Sequence, residues 1–517
     1  MQDAEAQAIH RQAEVEKVLR THPGVREAAV VHNGEAGLAA FVVPDDSYLD
    51  DVAGRRAAGS TVLGKWQKTF DLSQLTKEAT AAPVGLNTAG WNSSYTRQPI
   101  PADQIREWAE ATVEDILQFA PKSVYEIGCG TGMLLMRIAP RCDRYVAVDF
   151  SSVVLNKLGE QLRTVPNVAE HVEVLERRAD NFEGLAADSF DAVVLNSVAQ
   201  YFPDAAYLSR VLEGAVRIVK PGGHIYVGDN RSLPLLPAFT SSIEVFQAVD
   251  EMSSPELRDR IRRRIEREQE LVLSPTYFLS LRHRFPKISR VEIRPNRGHS
   301  DNEMSRYRYE AILHVGHEME ASQVDEFLEW PVRRLSLHDI RSMLRQHPNE
   351  RMGIKRIPNT RIEKDLAALA ILSGAETPIS AGELRHNLEQ RAMEGIHPQD
   401  LLDLGAEDLG FSVFLSWAAS RSDGSYDASF VPAGCRQGIT CPAISWPEPE
   451  ASEFVRLSNA PGQRKLRNEL INQLVALCIQ SLLPESVPGR IALVDALVRT
   501  SDGVVDSKAL LAPSSML

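Results

Sequence analysis

Val124-Tyr-Glu-Ile-Gly128-Cys-Gly130-Thr-Gly132 decides the fold. A β-prone run ends in Gly-x-Gly-x-Gly and passes straight into a helical pattern over 132–139. Three glycines permit a tight turn and close approach of a ligand to the backbone. A helix N-terminus adds free N–H groups. Glu126 brings a carboxylate to the same loop, a charge that disfavours a pyrophosphate and suits a cationic ligand with a carboxylate tail. The dinucleotide fingerprint would require glycine at position 133, where Met133 stands. A nicotinamide dehydrogenase is therefore the weaker interpretation.

Outward from this loop, strands and helices alternate. Strands are expected at 123–128, 144–149, 170–175, 190–196 and 224–229, with helices at 132–139, 152–163 and 204–218. A helix over Asp103–Phe119 precedes them, with Ile105, Trp108, Ala109, Val113 and Ile116 on one face. Such alternation implies an α/β fold with a parallel sheet and a ligand crevice at the carboxyl ends of its strands. The runs Arg290–Arg294 and Arg308–Val315 have no helix between them and are expected as an antiparallel edge. Polar residues stand at four strand ends. The second offers Asp149 and Phe150, where an acidic residue holds ribose hydroxyls. The third leads to Asp180 and Asn181, suited to an adenine amino group, and the fourth ends at Asn196 and Ser197. One such residue is an ordinary turn; four together are what a crevice ligand needs.

The chain has 517 residues, a length for about three domains. A formal charge of −13 argues against nucleic acid or an anionic membrane as the main partner. No apolar run reaches membrane-spanning length, and the polar start MQDAEAQAIHRQAEVEKVL is not a secretory signal. The five cysteines fit no zinc spacing, so no metal is expected and a reducing cytoplasm is the default. Arg260, Arg262, Arg263, Arg264 and Arg267 alternate with Glu266, Glu268 and Glu270; a solvated helix face with i,i+4 pairs is preferred to an anion site. A polar connector covers about 47–60, and a Pro/Gly/Ser-rich stretch about 421–462. An amphipathic helix Leu466–Leu483, a strand Ile491–Leu497 and a turn Ser501-Asp502-Gly503 close the chain.

The glycine loop and the strand-end residues resemble the class I methyltransferases that use S-adenosylmethionine. Gly90-Trp-Asn-Ser-Ser-Tyr-Thr-Arg-Gln-Pro-Ile100-Pro, Asn196-Ser-Val-Ala-Gln-Tyr-Phe-Pro203, Gly228-Asp-Asn-Arg-Ser-Leu-Pro-Leu235, and Asn302-Glu303 through His314 sharpen the resemblance. Together they are similar to the methyltransferase domains of nonribosomal peptide synthetases, usually inserted near the end of an adenylation domain. The flanks Val15–Pro44 and Leu482–Leu510 resemble parts of the small C-terminal adenylation subdomain. The resemblance implies a Rossmann-like domain with a mainly parallel seven-stranded sheet, plus a small split α+β adenylation-remnant lobe. The implied boundaries are 1–46 and 463–517 for the lobe, 47–65 for a linker, 66–318 for the methyltransferase, and 319–462 for its helical and mixed extension. Val504 follows Asp502-Gly503 where the family carries a lysine, and the large adenylation subdomain is missing, so no adenylation activity is expected.

The resemblance implies S-adenosylmethionine as methyl donor, with S-adenosylhomocysteine as product. Its contacts are expected from Tyr95, Glu126, Gly128, Gly130, Gly132, Asp149, Phe150, Asp180, Asn181, Asn196 and Ser197. Two acceptors stay open. An α-amine on a carrier protein must lose a proton, for which Asp229, Glu303 or His299 stand as bases, with Tyr201 and Gln200 at the acceptor mouth. A small-molecule carboxylic acid is already ionised and needs only an orienting cation, such as Arg231, Arg297 or Arg306. Other synthetase subunits are further expected partners, and a non-catalytic docking module is the alternative of a different class.

Overall fold

The computed structural model describes residues 2–32, 37–45, 48, 61–74, 85–316, 327–374, 379–406, 409–433, 457–459, 461–494, 496–500, 502 and 504–511. The chain divides into two compact units, Lys65–Asn459 and the pair Met1–Gly64 with Ala460–Leu517.

The larger unit is built on a seven-stranded sheet. Its strands are β1 (Ser123–Ile127), β2 (Arg144–Asp149), β3 (Val172–Glu176), β4 (Phe190–Asn196), β5 (Val219–Arg231), β6 (Ile288–Pro295) and β7 (Arg308–Val315). Their spatial order is β3-β2-β1-β4-β5-β7-β6. The pairs from β3 to β5 are parallel, and β7 joins β5 and β6 antiparallel. The expected edge is thus present. β1 and β2 read Ser-Val-Tyr-Glu-Ile and Arg-Tyr-Val-Ala-Val-Asp and are buried almost throughout, as strands covered on both faces must be. The order reverses between β1 and β4, which opens a crevice at their carboxyl ends.

Helices Ala102–Leu117, Ser152–Arg163 and Ala205–Ile218 flank the sheet. Ser151 and Asp204 cap the latter two by accepting from Val154 and Tyr207 N–H groups. Val113, Ile116, Leu135, Tyr145, Leu158 and Val194 meet in one apolar cluster beneath the loop. The helix expected over 132–139 is shorter. Only Leu135–Ile138 is α-helical, followed by a 3-10 turn Ala139–Arg141, because Pro140 has no N–H to continue the ladder. β3 begins at Val172, after the turn that Pro166–Ala169 makes.

Helices Leu236–Gln247, Ser254–Glu266 and Pro275–Arg284 form the excursion before β6. Arg260 and Arg264 both pair with Glu244 of the preceding helix, at 2.7 and 2.9 Å, so the arginine face joins two helices instead of pairing only along its own. Beyond β7, strands 327–329, 352–357, 426–432 and 411–416 lie side by side in that order. Helix Glu363–Gly374 packs Ala368 and Leu372 against Val245 and Leu257.

In the smaller unit, Val25–His32 pairs antiparallel with Leu38–Pro44, and Arg490–Leu493 pairs parallel with the latter. The last of these is shorter than the expected Ile491–Leu497. Helices Gln2–Leu19 and Pro461–Ser481 cover one face through Val15, Leu19, Leu470 and Leu474. Ser501, Gly503, Cys435, Cys441 and most of the expected connector lie outside the described residues. Among the described residues no helix is long and apolar enough to cross a membrane. No group of three or more metal-ligating side chains occurs among them.

Candidate functional site

Gly128, Gly130 and Gly132 all take left-handed backbone angles, with φ of 73°, 52° and 82°. Their surroundings differ. A Cβ on Gly128 would lie 2.3 Å from Val198 Cγ2, and one on Gly132 would lie 2.6 Å from Leu158 Cδ1. A Cβ on Gly130 would meet nothing closer than Phe70 Cζ at 3.9 Å. Gly128 and Gly132 thus have no room for a side chain against Val198 and Leu158, whereas Gly130 has space on its Cβ side. The loop hangs from β2. Gly128 N–H donates to the Val148 carbonyl at 2.7 Å, and Gly130 N–H to Asp149 Oδ2 at 3.0 Å. Asp149 Oδ1 accepts from Ser151 N–H, also at 3.0 Å.

Glu126 is buried under the loop and accepts from the Tyr145 hydroxyl at 2.9 Å. Burial, with the Asp149 charge nearby, pushes its carboxyl up to about 7. It is therefore far from a fully ionised carboxylate at neutral pH, which weakens the expected charge against a pyrophosphate.

Helix Thr61–Gln74 crosses this opening, and it begins inside the stretch expected as a linker. Residues 66, 67, 70 and 71 share one face. Trp66 packs on the Tyr201 ring with centroids 4.8 Å apart. Gln67 Nε2 donates to the Phe150 carbonyl at 3.0 Å, and Asp71 accepts from the Ser151 hydroxyl. These residues reach from the end of β2 to the turn after β4. The sequence carried one usable signal for them, Gln67 and Asp71 four apart beside aromatic Trp66 and Phe70.

At the third strand end, Asn181 Oδ1 accepts from Glu183 N–H at 2.9 Å, and Asp180 pairs with Arg178 at 3.4 Å. At the ends of β4 and β5 stand Ser197 and Asp229, with φ of 56° and 63°. Ser197 Oγ donates to Asp229 Oδ2 at 2.7 Å, and Arg308 Nη1 donates to the same oxygen. Ser197, expected among the donor contacts, is thus bound to Asp229. Arg308 was not singled out from the sequence, although it opens a buried β run. Burial raises the Asp229 carboxyl, opposed by Arg308. Asn196 Oδ1, Gln200 Oε1 and Asp229 Oδ1 are buried oxygens that accept no hydrogen bond among the described residues.

The remaining expected site residues have partners of their own. Glu303 accepts from Ser94 N–H and Oγ at 2.7 and 2.8 Å. The Tyr95 hydroxyl meets Ser242 Oγ at 2.8 Å, its ring edge-on to Phe239 and Phe246. Both therefore fasten the segment around Ser94 to its neighbours. His299 has a side chain 66 % exposed, 3.2 Å from Asp403, and its N–H donates to Glu107. It stands on the surface, held by Glu107 and Asp403 of two helices. Arg231 is clamped by Glu268 and Glu270 at 2.8 and 2.7 Å. Arg297 pairs with Glu114 and Asp115, and Arg306 with Asp301 and Asp365. None of the three stands as an unpaired orienting cation.

A family profile described as "Methyltransferase domain" matches residues 125–225, which run from the glycine loop to β5. The chain carries a methyltransferase domain. It is S-adenosylmethionine-dependent, and nearly the whole chain is similar to segments of nonribosomal peptide synthetases. Chondramide synthase cmdD of Chondromyces crocatus is 37 % identical over 97 % of this chain. The beauvericin nonribosomal cyclodepsipeptide synthetase of Beauveria bassiana is 29 % identical over 96 %. The chain spans only 13 % and 16 % of those relatives. The N-methyltransferase NodS from Bradyrhizobium japonicum WM9, solved with S-adenosyl-L-homocysteine, is 14 % identical, covering 48 % of this chain and 98 % of its own, with a TM-score of 0.30. The open space on the Cβ side of Gly130 fits the donor of such a domain.

Proposed function

We propose that the methyltransferase domain N-methylates the α-amine of an aminoacyl or peptidyl intermediate carried on a carrier protein, within cytoplasmic nonribosomal peptide assembly. The observation that carries this is the set of unpaired buried oxygens at Asn196, Gln200 and Asp229. An amine brings N–H donors to them, whereas a carboxylate brings acceptors only. A buried acceptor facing another acceptor costs about 1–3 kcal/mol. The paired state of Arg231, Arg297 and Arg306 points the same way.

S-adenosylmethionine supplies the methyl group. Asp229 Oδ1 takes the proton from the ammonium and frees the nitrogen lone pair for an in-line attack. Asn196 and Gln200 orient the two remaining N–H groups, and the product forms as the methylammonium. Gly130, with Asp149 behind it, holds the donor end of the line, and this alignment replaces a bimolecular encounter. Asp180, Asn181 and Phe150 border the nucleoside end. For the smaller unit we propose a likeness to the small C-terminal adenylation subdomain, with Val504 at the position where that family carries a lysine.

The test is mass spectrometry of aminoacyl carrier protein against a panel of free carboxylic acids, each incubated with the chain and S-adenosylmethionine. One added methyl on the amine is expected. Methylation of the acids alone makes the chain an ester-forming O-methyltransferase. Methylation of neither leaves a docking module.

A further inference from the structure

We infer that Ser197 and Arg308 are positioning residues for Asp229, occupying one carboxylate oxygen so that only the other meets the acceptor amine. This rests on the amine acceptor proposed above.

The asymmetry is geometric. Both donors converge on Oδ2, and Oδ1 is buried without a partner among the described residues. The backbone is shaped for it. Asn196 pairs in register with Gly228, so Ser197 and Asp229 are the next residues on adjacent strands. Both turn into left-handed conformations, disfavoured for residues other than glycine, and this turn accompanies the meeting of their side chains. Arg308 lies opposite Arg231 in the β5–β7 register, close to the same rung. Gly228 has no room for a side chain, since a Cβ there would lie 2.2 Å from Asn196 Oδ1. A structural ion pair would need Arg308 alone. The strained serine adds a second donor to the same oxygen and stops the carboxylate from presenting either oxygen at random. Two other ionisable groups face Asp229: Glu270, from the segment after helix Ser254–Glu266, and Tyr201, from the turn after β4.

Asp229 must be ionised to take the proton, so activity is present above its pKa in the complex and is lost as pH falls. The Ser197 hydroxyl stabilises the ionised form. Its removal therefore moves the acid limb of the pH profile to higher pH.

The experiment measures kcat against pH for methylation of an aminoacyl carrier protein by the full chain, with donor affinity by calorimetry. In S197A and S197G we expect the acid limb to rise by about one pH unit and kcat to fall about tenfold. Donor Kd should stay within about twofold. R308K keeps the charge and should leave the limb nearly in place while lowering kcat. The two serine variants differ in backbone strain but agree in the missing hydroxyl. A limb unmoved in both, or moved only in S197A, overturns the proposal. If the unmodified chain methylates no amine, the amine acceptor falls, and this positioning role falls with it.

Discussion

The N–H of Gly130 donates to Oδ2 of Asp149 at 3.0 Å, tying the loop after β1 to the end of β2. The same carboxylate holds Ser151 N–H, so one side chain sets both the glycine loop and the start of helix Ser152–Arg163. Asp149→Asn puts an NH2 group opposite one of these N–H donors. A hydrogen bond to a charged group contributes about 1.5–3 kcal/mol. Donor Kd, read by calorimetry, should weaken about tenfold or more while the circular dichroism spectrum is kept. Unchanged affinity would show that the loop does not depend on this carboxylate.

The three glycines should separate stability from binding. Gly128→Ala and Gly132→Ala place a Cβ against Val198 and Leu158, and each adds about 1–2 kcal/mol of left-handed strain. Both should lower the melting temperature by several degrees. Gly130→Ala carries the strain without the clash and should unfold closest to the parent. Gly130→Asp should abolish donor binding while still folding. Equal melting temperatures for all three alanine variants would contradict this division.

Glu126 gives a pH-dependent contribution with a definite sign. Its carboxyl is raised to about 7 in the folded chain, above its unfolded value of about 4.3. Between these values the folded state binds more protons, so stability falls as pH rises through that window and levels off above it. Glu126→Gln retains an acceptor for Tyr145 and removes the titration. The variant should gain about 1–3 kcal/mol relative to the parent on going from pH 4 to pH 8, measured by urea unfolding. A constant difference across that range would place the carboxyl at an ordinary value.

The sheet was legible because its signals are local. β1, β2 and β4 are short β-rich runs, the latter two ending at Asp149 and Asn196, and Gly128 to Gly132 needs no tertiary information to be recognised as a turn. What stayed hidden depends on distant partners. Arg308 looks like the first residue of a strand until β7 sets it beside Asp229. Arg231 looks like a free cation until Glu268 and Glu270 arrive from a separate segment. Trp66 to Asp71 offers only the spacing of Gln67 and Asp71 beside two aromatics, a weak signal until its helix is seen to reach the loop. His299 sits in a polar segment with a catalytic look, yet its neighbours are Glu107 and Asp403.

Asp229→Asn should separate the acceptors. It removes the oxygen that takes the proton but keeps an acceptor for Ser197. Amine methylation should fall about a hundredfold, within the range that general bases contribute. Transfer to a carboxylic acid, which has no proton to lose, should change little. Equal loss on both acceptors would make Asp229 structural.

Helix Thr61–Gln74 should govern donor exchange. Combining Gln67→Ala with Asp71→Ala removes its polar attachments to Phe150 and Ser151. The donor dissociation rate, followed by stopped-flow fluorescence, should rise about tenfold, as the loss of one or two hydrogen bonds implies. Leu72→Ala, with a side chain largely in solvent, is the control. Identical rates in the two variants would show that the helix does not retain the donor.

The three-stranded sheet of the smaller unit places Arg490–Leu493 beside Leu38–Pro44. During synthesis the early hairpin leaves the ribosome with a bare edge, and its missing neighbour follows only after the entire larger unit has been translated. Such an edge is sticky, and distant pairings form slowly. The lobe therefore completes its sheet only after the larger unit has been translated, and any delay within the larger unit prolongs the exposure of that hairpin to aggregation or chaperone capture.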